Sequence, residues 1–168
     1  PMTRETSIIF LDETHPIDAL ELIAHEENWA YLRDEDDEII LEIDGGWKKY
    51  TVTASWNVSR NLFRMICTFE MMPPKKKLVK LYETINLVNS SNVDGCFAYD
   101  NGEQLMNFKT NIVFSDELII SNTELRDWIK SPIETTEKFY PTFQKCCWAE
   151  VMPKDAMSVA FGKIAGHA

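Results

Sequence analysis

Glycine is scarce in this sequence, with six in 168 residues, and none falls in a spacing that cradles a phosphate. GxxxxGK[ST], GxGxxG and G-x-S-x-G are all missing, so nucleotide binding through a glycine-rich loop and hydrolysis from a nucleophile elbow have no motif to rest on. Cysteine is also sparse. Cys67, Cys96, Cys146 and Cys147 contain no CxxC pair for zinc or for a redox dithiol. A bridge between the neighbours Cys146 and Cys147 would be strained, so all four read as free thiols of a reduced compartment, and the expected location is the cytoplasm. The three histidines, His15, His25 and His167, never stand at i,i+4 and read as surface or capping residues.

Positive charge is in short supply as well. Seventeen basic residues against twenty-seven acidic ones leave a net charge of -10, which repels phosphate backbones and anionic lipid. No apolar run reaches the ~18 residues needed to cross a bilayer. Neither nucleic acid nor a membrane is therefore expected as a partner. Pro1, ahead of Met2, reads as a cloning remnant and stands outside the fold argument.

With 45% hydrophobic and 26% charged residues, the composition is that of a folded chain, and residues 1–168 read as one domain. HPIDALELIAHEEN opens with Pro16 in a first turn and repeats Ile17, Leu20, Ile23 and Ala24 at helical spacing. From Trp29 the period becomes two, and two extended segments meet at DEDDE, with Ile39, Leu41 and Ile43 on one side and Ile40, Glu42 and Asp44 on the other. Asp44-Gly45-Gly46 is a turn signal with two residues free to take positive φ. WKKYTVTASW then places Tyr50, Val52, Ala54 and Trp56 opposite Trp47, Lys49, Thr51, Thr53 and Ser55, and LFRMICTFE sets Phe63, Met65, Cys67 and Phe69 against Arg64, Thr68 and Glu70. A second helix follows Pro73-Pro74, marked by Leu78, Leu81, Tyr82, Ile85 and Val88. Asp100-Asn101-Gly102 is a hairpin signal, with Met106, Phe108, Ile112 and Phe114 inward. Ser121 and Glu124 form a capping box, Pro132 and Pro141 should bend or divide the helical region after it, and a last helix is expected near Asp155–Ile164.

These elements lack βαβ alternation. They predict an α+β fold of order α-βββ-α-ββ-α(α), a five-stranded antiparallel sheet with helices packed mainly on one face. The other face then carries Glu42, Trp47, Thr51, Thr53, Arg64, Thr68, Asn107 and Lys109.

DEDDE raises the question of a metal. An EF-hand loop begun at Asp34 would place Ile39 at its sixth position and Gly45 at its twelfth, where Gly and Glu are required, so the segment reads as the solvated end of a hairpin. Lys75, Lys76 and Lys77 oppose the dipole of the helix they precede and read as side chains splayed into water or balanced by the acidic surface. Of the five tryptophans, Trp47 alone is expected on the open face, where it is a candidate interface anchor.

Taken together, HPIDALELIA, W(x3)R with the acidic EI strand, GGWKKY, Trp56, C67TF, N(x5)GCF and FYPTFQKCCW resemble the YbjN family of bacterial proteins, over about residues 15–160. That family is described as sensory transduction regulators. The resemblance implies the fold of type III secretion chaperones, a curved antiparallel sheet under helices that is often dimeric, and it implies no catalytic residue. Where the family carries Trp and His before its second hairpin, this chain has Asn92 or Val93 and Cys96, and Lys109 stands in place of an Arg. A point charge there replaces a bidentate fork.

Two functions are open on these grounds. The first is a non-enzymatic protein-interaction or regulatory module, without cofactor or metal, that binds a protein partner or a second copy of itself through Trp47, Thr51, Arg64 and Lys109. The alternative is a small-molecule binder or an unrecognised hydrolase, with Tyr82, Tyr99, His25 or Cys96 lining a pocket between sheet and helices.

Overall fold

The computed structural model describes residues 15–91, 93–114 and 121–148. Helix α1 (Pro16–Glu26) begins at a proline whose absent N–H would be unsatisfied in a first turn anyway. His15 caps it, its Nδ1 accepting the Ile17 N–H at 3.1 Å. The stripe Ile17, Leu20, Ile23 and Ala24 is buried. Strands β1 (Ala30–Glu35) and β2 (Glu38–Asp44) form a hairpin about Asp36-Asp37, followed by β3 (Lys49–Asn57) and β4 (Leu62–Glu70). A 3-10 turn over Lys75–Lys77 leads into α2 (Leu78–Asn89), then β5 (Cys96–Asp100), β6 (Leu105–Val113) and α3 (Asn122–Trp148).

The sheet runs β1-β2-β3-β4-β6-β5 and every neighbouring pair is antiparallel. It has six strands rather than the five expected: the two extended segments read at DEDDE both join the sheet as separate strands, where the expected order counted three strands before the second helix. Only Arg33 of β1 is even partly buried, so this strand shows none of the apolar alternation by which a sheet strand is recognised.

One side of the sheet holds Ile39, Leu41, Tyr50, Val52, Phe63, Met65, Cys67, Phe97, Met106 and Phe108, all buried in a single core cluster. The helices lie over that side. Helix α1 packs on β1 to β3, α2 on β5, and α3 on β4 and β6 while touching both other helices. Phe97 meets Phe139 and Phe143 of α3 edge-on at 6.0 and 5.1 Å, and Trp128 stacks on Phe114 at 5.3 Å.

Helix α3 is one helix of 27 residues through both Pro132 and Pro141, so of the bend or division expected from the sequence the division does not occur. Each interior proline costs roughly 3 kcal/mol. The same helix buries Leu125, Ile129, Phe139 and Phe143, and each such side chain returns about 1.5–3 kcal/mol. Packing therefore outweighs propensity. The capping box forms as expected, Ser121 Oγ accepting the Glu124 N–H at 3.2 Å while Glu124 Oε1 faces the Ser121 N–H at 3.4 Å.

Two turns differ from their sequence reading. The β5–β6 connection is the longer loop Asn101–Gln104, in which Asp100 Oδ1 accepts the Glu103 N–H at 3.1 Å and Gln104, not Asn101 or Gly102, is left-handed at φ 57°. At Gly45 the requirement is space rather than positive φ. A Cβ there would lie 2.2 Å from Glu137 Oε1 and 2.3 Å from the Tyr50 ring. Of the three lysines, Lys75 and Lys76 are exposed but Lys77 is buried, so splaying into water describes only the first two. The helix expected near Asp155–Ile164 lies outside the described residues, among which no helix is long and apolar enough to cross a membrane.

Candidate interaction face

Period-two strands place alternate residues on opposite faces, so the register defines the side away from the helices row by row. Across the middle run Leu32, Ile40, Thr53, Ile66, Lys109 and Cys96. One step along lie Ala30, Glu42, Thr51, Thr68, Asn107 and Ala98, and one step the other way Glu38, Ser55, Arg64 and Asn111. None of these residues is buried, whereas their inward neighbours on β2, β3 and β4 are. The described residues place no helix over this face.

Its polar floor is cross-linked between strands. Thr68 Oγ1 donates to Asn107 Oδ1 at 2.8 Å, and Arg64 Nε donates to Asn111 Oδ1 at 2.9 Å. These bonds tie neighbouring strands together, and Arg64 as a whole remains exposed. Leu32 is 55% exposed, and Ile40 and Ile66 are half-buried, so an apolar band crosses a polar surface. The signal for that band was present in the Ile39-Ile40 doublet and in Ile66 between Met65 and Cys67, where an apolar residue falls on the polar phase.

Thr51, Arg64 and Lys109 share this face, as the alternation predicts. Trp47 does not. Strand β3 begins only at Lys49, and the alternation cannot be carried back through the Gly45-Gly46 turn. The Trp47 N–H donates to Glu137 Oε2 at 3.2 Å and its indole stacks on Tyr140 of α3 at 5.8 Å, which places it beside the helices.

The acidic hairpin is tied to α1. Arg33 pairs with Asp18, lies 3.4 Å from Glu21 Oε2, and donates to the Asp36 carbonyl at 2.7 Å. His15 Nε2 meets Asp37 Oδ1 at 2.6 Å. With Nδ1 already accepting from Ile17, the His15 proton resides on Nε2 and is donated to Asp37. Among the described residues no group of three or more His, Cys, Asp or Glu could hold a metal.

Of the residues of the pocket hypothesis, only Tyr82 and Tyr99 stand near enough to interact. His25 is exposed on α1, Tyr82 is exposed on α2, and Tyr99 donates to the Met71 carbonyl at 2.6 Å. Cys96 borders a hollow of about 760 Å³ between β6 and α3, with Met65, Lys109, Trp128 and Pro132, but none of the other three lines it. The Cys67 thiol is fully buried, and burial pushes it up to about 12, away from the thiolate a nucleophile needs.

Residues 16–145 match a family model, YbjN, described as "Putative bacterial sensory transduction regulator". The chain belongs to the YbjN family. Within this YbjN-family chain the match starts at the first residue of α1 and closes in the last turn of α3, so it takes in all six strands. Its structure is similar to the crystal structure described as "YbjN, a putative transcription regulator from E. coli", with a TM-score of 0.49 and 7% identity over 71% of this chain and 84% of that one. No curated protein matches the chain.

Proposed function

We propose that this YbjN-family protein is a non-enzymatic regulatory module of the cytoplasm that works by binding protein on the uncovered face of its sheet. The observation that carries this reading is the sidedness of the fold. Every described helix packs on one face, while the other presents Thr51, Arg64 and Lys109 around the partly exposed Leu32, Ile40 and Ile66. An apolar band with a polar surround that carries charge of both signs has the make-up of a protein interface. The single helix layer on an antiparallel sheet also supports the secretion-chaperone-like arrangement that the family resemblance implies, in which one domain, 1–168, presents its sheet to a partner.

Affinity capture from bacterial extract tests the reading, comparing wild type with an Arg64→Ala, Lys109→Ala variant whose fold is checked by circular dichroism. Loss of a specific protein from the variant's eluate is expected. Identical capture by both proteins, with Trp47→Ala as the control outside the face, would remove the face from the binding function.

A further inference from the structure

Strand β6 is longer than the strand on its outer side. Strand β4 pairs with it from Leu105 to Val113, but β5 pairs only with residues 105–109, so residues 110–113 have a neighbouring strand on one side alone. The phase of the backbone shows what the bare side offers. A Cβ at Gly95 would lie 2.6 Å from the Lys109 carbonyl oxygen, which therefore points toward β5, whereas the Phe114 N–H points the other way and donates to the Asn61 carbonyl at 2.9 Å. Backbone groups alternate sides along a strand, so Asn111 and Val113 turn their N–H and C=O outward as Lys109 does. Among the described residues nothing bonds to them there. Val113 is 70% exposed, and Thr110 and Ile112 are only partly buried, although Met106 and Phe108 on the same face beside β5 are buried.

The hollow of about 760 Å³ between β6 and α3 opens along this bare edge. Met65, Ile112, Trp128 and Pro132 give it an apolar lining. Two more polar groups beside it lack partners. Thr110 Oγ1 is buried and makes no hydrogen bond among the described residues, and Pro132 has no N–H to give the Trp128 carbonyl one turn before it in α3. An edge with unpaired backbone is a template for another strand. Its donors and acceptors repeat every second residue, ~6.8 Å apart, which is the repeat of an extended peptide.

We infer that the bare edge of β6 at residues 110–113, with the hollow beside it, docks an extended peptide of another protein as a short strand antiparallel to β6 and in line with β5. Peptide residues opposite Asn111 and Val113 make the backbone bonds and turn their side chains away from the helices. The residue between them, opposite Ile112, points into the hollow and is bulky and apolar, to fill the space against Trp128 and Pro132. Gly95, whose Cβ would also lie 2.9 Å from Thr110 Cγ2, closes the groove at that end. Flanking basic residues suit a chain of net charge -10. The site is an edge with a hollow on the helix side, so it stands independently of the uncovered face.

The test is an NMR titration of isotope-labelled protein with the blocked peptide acetyl-Lys-Thr-Phe-Thr-Lys-amide. In the free protein the Asn111 and Val113 amides exchange rapidly with solvent, and the peptide shifts both and slows their exchange. Methylating the two threonine nitrogens removes the donors that the peptide supplies and weakens binding about tenfold or more. Val113→Pro removes a donor that serves no bond within the fold and has the same effect, as does Ser131→Trp, which fills the hollow from the exposed side of α3. Circular dichroism verifies that both variants are folded. Slow exchange of the Val113 amide in the free protein, no response at the solubility limit of the peptide, or equal binding of the methylated peptide overturns the inference. Protection that appears when the free protein is concentrated puts a second copy in the groove and overturns it as well. Shifts confined to Thr51 and Arg64 overturn it while supporting the preceding reading, whereas identical capture by the Arg64→Ala, Lys109→Ala variant ends that reading and leaves the Val113 response intact.

Discussion

Glu137 of α3 accepts the Trp47 N–H at 3.2 Å, across a sequence separation of 90 residues, and also accepts the N–H of Gly46. One carboxylate thus clamps the β2–β3 turn to the longest helix. Gly45→Ala would drive a methyl into that carboxylate and the Tyr50 ring, and is expected to lower stability by roughly 1–3 kcal/mol. Glu137→Ala is expected to cost about 1 kcal/mol, since its bonds lie at the surface. Urea unfolding of both variants checks the order.

The acidic hairpin is expected to behave as a structural clasp. Arg33→Ala should lower stability by about 1 kcal/mol through loss of Asp18 and the Asp36 carbonyl, because its side chain is largely shielded. Added calcium should leave the thermal midpoint unchanged. A calcium-dependent rise in the midpoint would show that the carboxylates bind the ion.

The three lysines before α2 should separate into two kinds. Lys75→Ala and Lys76→Ala are expected to stay within about 0.5 kcal/mol of wild type, since both are exposed and oppose the helix dipole. Lys77→Ala should exceed about 1 kcal/mol of loss, because its buried stem packs against the protein. Equal effects of all three, measured by chemical denaturation, would contradict the difference in burial.

Alkaline pH should unfold the protein through its buried acids. Burial raises the Cys67 thiol from 9.0 to about 12, so the folded chain keeps a proton that the unfolded chain releases. That stability is complete below pH 9 and is lost as pH rises toward about 12. Burial, and next the Glu137 carboxylate, push Tyr50 the same way from its ordinary 10.0. The expected result is a fall in unfolding free energy above pH 9 that is shallower in Cys67→Ala, leaving the Tyr50 contribution.

Much of this fold is written in its strands. Along β2, β3 and β4 every inward residue was legible, because a strand with one buried face must hold its register or turn its whole apolar set outward. Strand β1 offered no such pattern, since it completes the sheet at an edge and buries almost nothing. The two prolines of α3 misled because local cost is visible in sequence while the phenylalanines that offset it gain their value only from tertiary contact. Thr51, Arg64 and Lys109 could be placed because they sit inside strands. Trp47 could not, because two glycines separate it from the strand whose phase it was given. Gly45 shows the same limit: the need for a missing Cβ is set by Glu137, far along the chain.

Isoleucine methyl NMR with a soluble paramagnetic probe, at a concentration too low for self-association, tests the uncovered sheet face most directly. Ile40 and Ile66 should relax strongly, while Ile17, Ile23 and Ile39, at 0 to 1% exposure, should scarcely respond. Shielding of Ile40 and Ile66 to the level of Ile39 would mean that the face is closed and unavailable to any partner.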